Sequence, residues 1–139
     1  MNKLLEALRL ARLTKRRVFI CGNGGSASTA EHFSNDLFSK GVRAFCLNSN
    51  VSIITMIAND FGYPFIYSQQ LALYADKGDI LITLSCSGTS GNIINAIEVA
   101  KELGMQVYEF ESSKDKFNID YERLEDRHLI LAHQIKKAL

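Results

Sequence analysis

Short unbroken apolar runs alternate along this chain with longer stretches in which apolar side chains return every three or four positions. The runs at residues 17–21, 43–47, 79–84 and 106–110 predict buried strands, and the periodic stretches predict helices packed on them by one face. Leu4, Leu5, Leu8 and Ala11, with Leu13 at the end, set a helix over residues 3–14. Ala27, Ala30, Phe33 and Leu37 set another over 26–38. Further helices are predicted over 51–59 and 64–74, broken by Asp60-Phe61-Gly62-Tyr63, and over 90–103, where Gly104 supplies the stop. A last helix is predicted over 121–138. Residues 111–120 are polar and irregular, with Phe117-Asn118-Ile119 as the place for a remnant fifth strand.

Strands alternating with helices predict an α/β fold: a three-layer α/β/α sandwich around a parallel sheet of four to five strands. Right-handed crossovers bring the loops that follow the strands to one edge of the sheet, the edge where open α/β sheets bind ligands. The order of the strands is not legible in the pattern. A chain of 139 residues reads as one domain over 1–139, an N-terminal helix over 1–15 leading into a core over 16–139. The helix over 3–14 is apolar on one face with little chain before it to cover that face, which predicts a contact between subunits.

Composition narrows the function. The net charge of +1 points to neither nucleic acid nor an anionic membrane as partner. The one basic run, Lys15-Arg16-Arg17, reads as a solvated strand entrance. No apolar run approaches membrane-spanning length, and the first residues form a charged amphipathic helix rather than a leader. Cys21, Cys46 and Cys86 are widely spaced and odd in number, which argues against a disulfide framework and for a reducing, cytoplasmic location. Cys21 and Cys46 read as buried small hydrophobes; Cys86 lies in a loop.

The chemistry sits in two small-residue loops. Cys21-Gly22-Asn23-Gly24-Gly25-Ser26 follows the first apolar run, and Ser85-Cys86-Ser87-Gly88-Thr89-Ser90 follows the third. A strand that ends in small residues and turns into a helix aims backbone N–H groups and the positive end of a dipole at one spot, which suits a phosphate. Hydroxyls of Ser85, Ser87, Thr89 and Ser90 add donors. The first loop lacks the third glycine of a dinucleotide fingerprint and the lysine of a P-loop, so a nucleotide-dependent oxidoreductase is disfavoured. Beyond the loops, His32 and Asp36 are four apart on one helix face, a spacing for a metal pair, an acid/base pair or a surface contact. Asp60 in Asn59-Asp60-Phe61-Gly62 reads as a turn residue. Glu125, Asp126, His128 and His133 gather on the last helix, where His133 is a candidate proton shuttle.

Taken in order, these motifs resemble the sugar isomerase (SIS) domain family and, within it, the phosphoheptose isomerases. The resemblance runs from about Arg17 to about Ile135. It rests on the CGNGGS loop with His32-Phe33 and Asp36, on Ile57-Ala58-Asn59-Asp60-Phe61-Gly62-Tyr63, on Gly78-Asp79 leading into the SxSGxS loop, and on Glu125-Asp126-Arg127-His128-Leu129 with His133. It implies isomerisation of sedoheptulose 7-phosphate to D-glycero-D-manno-heptose 7-phosphate by a soluble homo-oligomer, a homotetramer or a dimer. It implies a core that binds a sugar phosphate: phosphate held by Ser85, Ser87, Thr89 and Ser90 with Ser26, and the sugar touched by Asn23, Gly24, Asn59, Asp60 and Glu125. Asp36 and His133 match the acid/base pair; His32, Asp36, Glu125 and His133 match positions that bind zinc in several members. Asp36 stands where the family usually carries glutamate, Glu125 where many members carry glutamine, and Cys86 where threonine is usual. On a continuous helix Glu125 and His133 stand about 12 Å apart, so a shared metal needs an irregular helix or a second subunit. The alternative on the same fold is a non-catalytic phosphosugar-binding or partner-binding protein.

Overall fold

The computed structural model describes residues 2–115 and 117–139. Four short strands, β1 (Arg17–Gly22), β2 (Arg43–Cys46), β3 (Ile80–Leu84) and β4 (Gln106–Glu109), form one parallel sheet in the order β2-β1-β3-β4. Alternation along each strand divides the core between the two faces. Val18 and Ile20 of β1 with Ile80, Ile82 and Leu84 of β3 face α1 (Asn2–Thr14), α2 (Gly25–Ser39) and α6 (Tyr121–Ala138). Phe19, Cys21 and Leu81 face α3 (Val51–Asp60), α4 (Ser68–Tyr74) and α5 (Gly91–Glu102). The three-layer sandwich expected from the pattern is therefore present, with four strands.

The fifth strand is absent among the described residues. The Asp115 carboxylate accepts from the backbone N–H groups of Phe117 (2.9 Å) and Asn118 (3.2 Å), so those donors are used in a local turn instead of a ladder. The helix expected over 64–74 is also shorter. Gly62, at φ 106°, bends the chain into a 3-10 turn over Tyr63–Phe65 with Pro64 in its first turn, and α4 starts only at Ser68. The other ends fall where local chemistry puts them. Asn50 caps α3 through Ile53 N–H at 3.1 Å, Asp120 caps α6 through Arg123 N–H at 3.0 Å, and Gly104, at φ 73°, closes α5.

Two expectations about the chain's beginning change. The apolar face of α1 is covered within the chain: Leu4, Leu8 and Ala11 are buried against the sheet, and Leu10 and Leu13 remain outside. Within the basic run, Arg17 is mostly buried rather than solvated. Its backbone N–H and its Nε each lie 2.9 Å from the buried Asp79 carboxylate, which also accepts from Asp76 N–H. That clamp joins the starts of β1 and β3 and explains Asp79 as a structural residue.

Strand order places the site. The chain leaves β1 towards β2, then returns past β1 to β3 and β4, so the direction of winding changes between β1 and β3. Gly22 stands in register with Leu84. The glycine loop and the serine loop consequently leave the sheet side by side at its carboxyl edge.

Candidate functional site

The glycine loop is shaped by close approach. A Cβ on Gly22 would lie 2.7 Å from the Ser26 carbonyl oxygen, inside van der Waals contact with backbone that cannot move aside. A Cβ on Gly25 would overlap the Glu125 carboxylate, which is how α6 reaches the start of α2. Asn23 turns inward: its Oδ1 accepts from Asn92 Nδ2 at 2.8 Å and its Nδ2 donates to Asn92 Oδ1 at 2.9 Å, a reciprocal amide pair. The Tyr67 hydroxyl donates to the Gly22 carbonyl at 2.5 Å and accepts from Asn48 Nδ2 at 2.8 Å. Burial pushes the Tyr67 phenol well above its usual range, so it stays a donor. Asn48, Tyr67 and Asn92 carried no motif in the sequence; only their placement reveals them as the brace behind the loop.

The serine loop wraps on its own hydroxyls. Ser85 Oγ accepts from Gly88 N–H at 3.1 Å, Ser87 Oγ accepts from Thr89 N–H at 3.2 Å, and Gly88 takes φ 63°. Ser113 N–H donates to the Cys86 carbonyl at 2.8 Å, tying the irregular segment after β4 to the loop. Between the loops lies a small cavity of about 100 Å³. Of the residues singled out from sequence, Asn23, Ser26, Ser85, Ser87, Ser90 and Glu125 line it. Tyr121 joins them without having been foreseen. Thr89 is exposed and is not among the cavity's lining residues, and Gly24 stands at the N-terminus of α2 with φ 58°. Asn59 and Asp60 pair with each other (2.8 Å) at the exposed end of α3 and are not among the cavity's lining residues. Cys86 is buried 3.8 Å from Ser26 Oγ, and burial raises its thiol, with the Glu125 charge adding to the effect and the Ser26 contact opposing it. It is a packed thiol rather than a nucleophile.

A second cluster lies down the same two helices. His32 and Asp36 of α2 face His133 of α6, with ligand atoms within 4.8 Å of one another. The two Nε2 atoms are 2.9 Å apart, and Asp36 Oδ2 lies 3.4 Å from that of His32 and 3.9 Å from that of His133. Asp36 is fully buried while the imidazoles are about half exposed. Asp36 Oδ1 accepts from Lys136 Nζ at 2.5 Å, and Oδ2 is buried with no hydrogen-bond partner. An unpartnered buried carboxylate oxygen aimed at two imidazole nitrogens is a donor set that fits a divalent cation such as zinc. Glu125 is not brought into this cluster. α6 is continuous from Tyr121 to Ala138, and Glu125 points instead at the serine-loop cavity. His128 faces the sheet, with Nε2 2.7 Å from the Glu111 carbonyl, and belongs to neither group.

Comparison with known proteins agrees with this architecture. The SIS domain family matches residues 1–112, which leaves α6 outside the match. A phosphoheptose isomerase of Helicobacter pylori (strain HPAG1) is 45% identical over 65% of this chain and 50% of its own length. One from Thermodesulfovibrio yellowstonii is 35% identical over 84% of this chain and 67% of its own. The chain thus spans about half the length of the Helicobacter relative. A phosphoheptose isomerase structure from Neisseria gonorrhoeae superposes with a TM-score of 0.87 at 28% identity, over 96% of this chain and 82% of that one. A second, from Francisella tularensis, gives 0.90 at 24% identity over 99% and 83%, a likeness of fold.

Proposed function

This chain belongs to the SIS domain family, and we propose that it is an aldose–ketose isomerase converting sedoheptulose 7-phosphate to D-glycero-D-manno-heptose 7-phosphate. The observation that carries the reading is the spacing of the two groups along α2 and α6. Ser26 and His32 are six residues apart and Glu125 and His133 eight, about 9 and about 12 Å of helix. An extended seven-carbon sugar holds its phosphate and its reacting carbons about 9 Å apart at bond lengths of about 1.5 Å. A phosphate on the serine loop therefore puts the reacting end of the sugar beside His32, Asp36 and His133.

In this reading Ser85, Ser87, Thr89 and Ser90, with Ser26, hold the phosphate. Asn23, Gly24 and Glu125 flank the sugar, and Asn59 and Asp60 at the end of α3 are assigned to its polar groups. Isomerisation needs a proton taken from one carbon and returned to its neighbour through an enediolate, and a second proton moved between the two oxygens. When no cation occupies the cluster, Asp36 and His133 are assigned to these protons: half-exposed His133 meets the substrate, and buried Asp36 acts through the imidazoles that its Oδ2 faces. Zinc held by His32, Asp36 and His133, with Glu125 added from a second subunit, would supply charge stabilisation for the enediolate oxygens.

Two further elements belong to the proposal. No helix among the described residues is long and apolar enough to cross a membrane, and the three cysteines are free; a cytoplasmic protein acting on a sugar phosphate fits both. Phe45, Phe61 and Leu73 remain exposed around α3 and α4, and we assign that surface, in place of α1, to contact between copies in a homotetramer or dimer. Light scattering at micromolar concentration checks the assembly; a stable monomer overturns it.

The direct test incubates the protein with sedoheptulose 7-phosphate in deuterated water, with and without added zinc. Product formation with deuterium at the carbon next to the carbonyl is expected. Tight binding with neither product nor exchange would transfer the protein to the non-catalytic phosphosugar-binding alternative. The phosphate handle is checked separately: Ser87→Ala should weaken sugar-phosphate binding by about 1–3 kcal/mol, the scale of a hydrogen bond to a charged group. Calorimetry with an unchanged affinity would remove the serine loop as the anchor.

A further inference from the structure

We propose that the Lys136 ammonium is a built-in competitor for the charge of Asp36. It lowers the affinity of the His32–Asp36–His133 cluster for a divalent cation and lets the protein fold without one. The proposal rests on the reading of that cluster as a cation site.

Lys136 was not among the residues suggested by the sequence. It is one helical turn beyond His133, so both face α2, just as His32 and Asp36 both face α6. Three polar groups from two helices, His32, His133 and Lys136, therefore meet around one carboxylate. Lys136 Nζ sits 2.5 Å from Asp36 Oδ1, whereas Oδ2 has no hydrogen-bond partner. The carboxylate is 1% exposed and the lysine side chain 38%, so water screens the aspartate hardly at all. A buried carboxylate is tolerated when paired and costly when its partner is removed. Among the described residues the ammonium is the one lysine or arginine group paired with it.

The charge balance follows. A cation that approaches Oδ2 meets a carboxylate already neutralised through its other oxygen, and meets the ammonium at close range behind it. Like charges a few ångströms apart in a partly desolvated site repel strongly. Without Lys136, the cation-free protein would carry an uncompensated buried charge, while in the loaded protein the cation would compensate it. Removing the ammonium thus destabilises the cation-free state more than the loaded one, and cation affinity rises by the difference. A lysine that served only to hold Asp36 in position would act in the opposite sense, because losing a hydrogen bond to a ligating carboxylate typically costs about 10–100-fold in affinity. The sign of the effect separates the two roles.

The experiment uses the full chain freed of metal by chelation and titrated with Zn²⁺ against a chromophoric chelator, alongside thermal unfolding with and without Zn²⁺. Lys136→Gln keeps an N–H donor and removes the charge; Lys136→Met removes both; Lys136→Arg keeps the charge. Gln and Met variants are expected to bind Zn²⁺ at least about tenfold more tightly than the parent, given how costly an unpaired buried charge is. They should melt lower without Zn²⁺, and Zn²⁺ should raise their melting temperature by more than it raises the parent's. The Arg variant should stay within about threefold of the parent. A Met variant that folds only with Zn²⁺ present supports the same conclusion. If the parent binds Zn²⁺ and the Gln and Met variants bind it equally or more weakly, the competitor role is overturned and the cation site stands. If neither parent nor variants bind Zn²⁺, the cation reading falls and the proposal falls with it.

Discussion

Replacing His133 with alanine is expected to lower turnover of sedoheptulose 7-phosphate by about 10²–10⁴-fold, the contribution of a positioned acid/base group. The loss should appear in kcat, with KM within a few-fold, because the proposed function anchors the phosphate at the serine loop and not at this cluster. The fold should survive. His133 is half exposed on α6, its Nε2 contacts only His32 and Asp36 among the described residues, and alanine is a stronger helix former than histidine. Unfolding midpoints of parent and variant should therefore lie close together. Deuterium exchange into unreacted substrate sharpens the result: if His133 moves the carbon-bound proton, exchange falls in step with turnover. A variant that keeps a tenth or more of the parent's kcat would remove His133 from proton handling.

Much of the fold was legible because each element carried its own local signal. β1 and β3 have unbroken apolar runs, since both faces of a central strand are covered. α5 ended where Gly104 said it would, because only a residue at ease with positive φ can take that position without strain. What failed depended on distant partners. The apolar face of α1 looked uncovered because nothing in its sequence says that the sheet reaches it. Arg17 looked solvated because Asp79, sixty-two positions away, is not visible from its neighbours. Phe117-Asn118-Ile119 has strand-like residues, but one preceding aspartate diverts two of its backbone donors.

The site divides the same way. The serine loop and glycine loop announced themselves, because their small and hydroxyl residues stand together in sequence order directly after apolar runs. The His32–Asp36 spacing was visible for the same reason, and the structure brings His133 to it. The sequence resemblance grouped Glu125 with them, yet a continuous α6 sends Glu125 to the serine-loop cavity within one chain. Lys136, Asn48, Tyr67 and Asn92 went unseen: each acts on a functional residue through a contact between elements, and no spacing rule encodes such a contact.

Phe33→Ala is expected to destabilise the protein by about 3–5 kcal/mol, the range for deleting a buried aromatic ring. That is a large share of the roughly 5–15 kcal/mol available to a domain. Phe33 is fully buried on α2 directly after His32. Its ring packs on Phe110 at 5.9 Å, and Phe110 meets the edge of His128 on α6 at 5.6 Å. One stack of rings thus fixes α2 and α6 against the end of β4, and so sets the distance across which His32 and Asp36 face His133. Phe33→Leu keeps most of the volume and should cost under about 1.5 kcal/mol. Denaturant unfolding of the two variants checks the difference, with equal slopes showing that the same surface is exposed. Turnover adds the functional link. At a temperature where both variants stay folded, the leucine protein should keep most of the parent's kcat and the alanine protein much less, because a shift of about 1 Å between reacting groups costs about a hundredfold. A Phe33→Ala protein that loses under 1 kcal/mol and keeps full turnover would mean that this stack does not hold the two helices in register, and that the cluster is positioned by its own polar contacts.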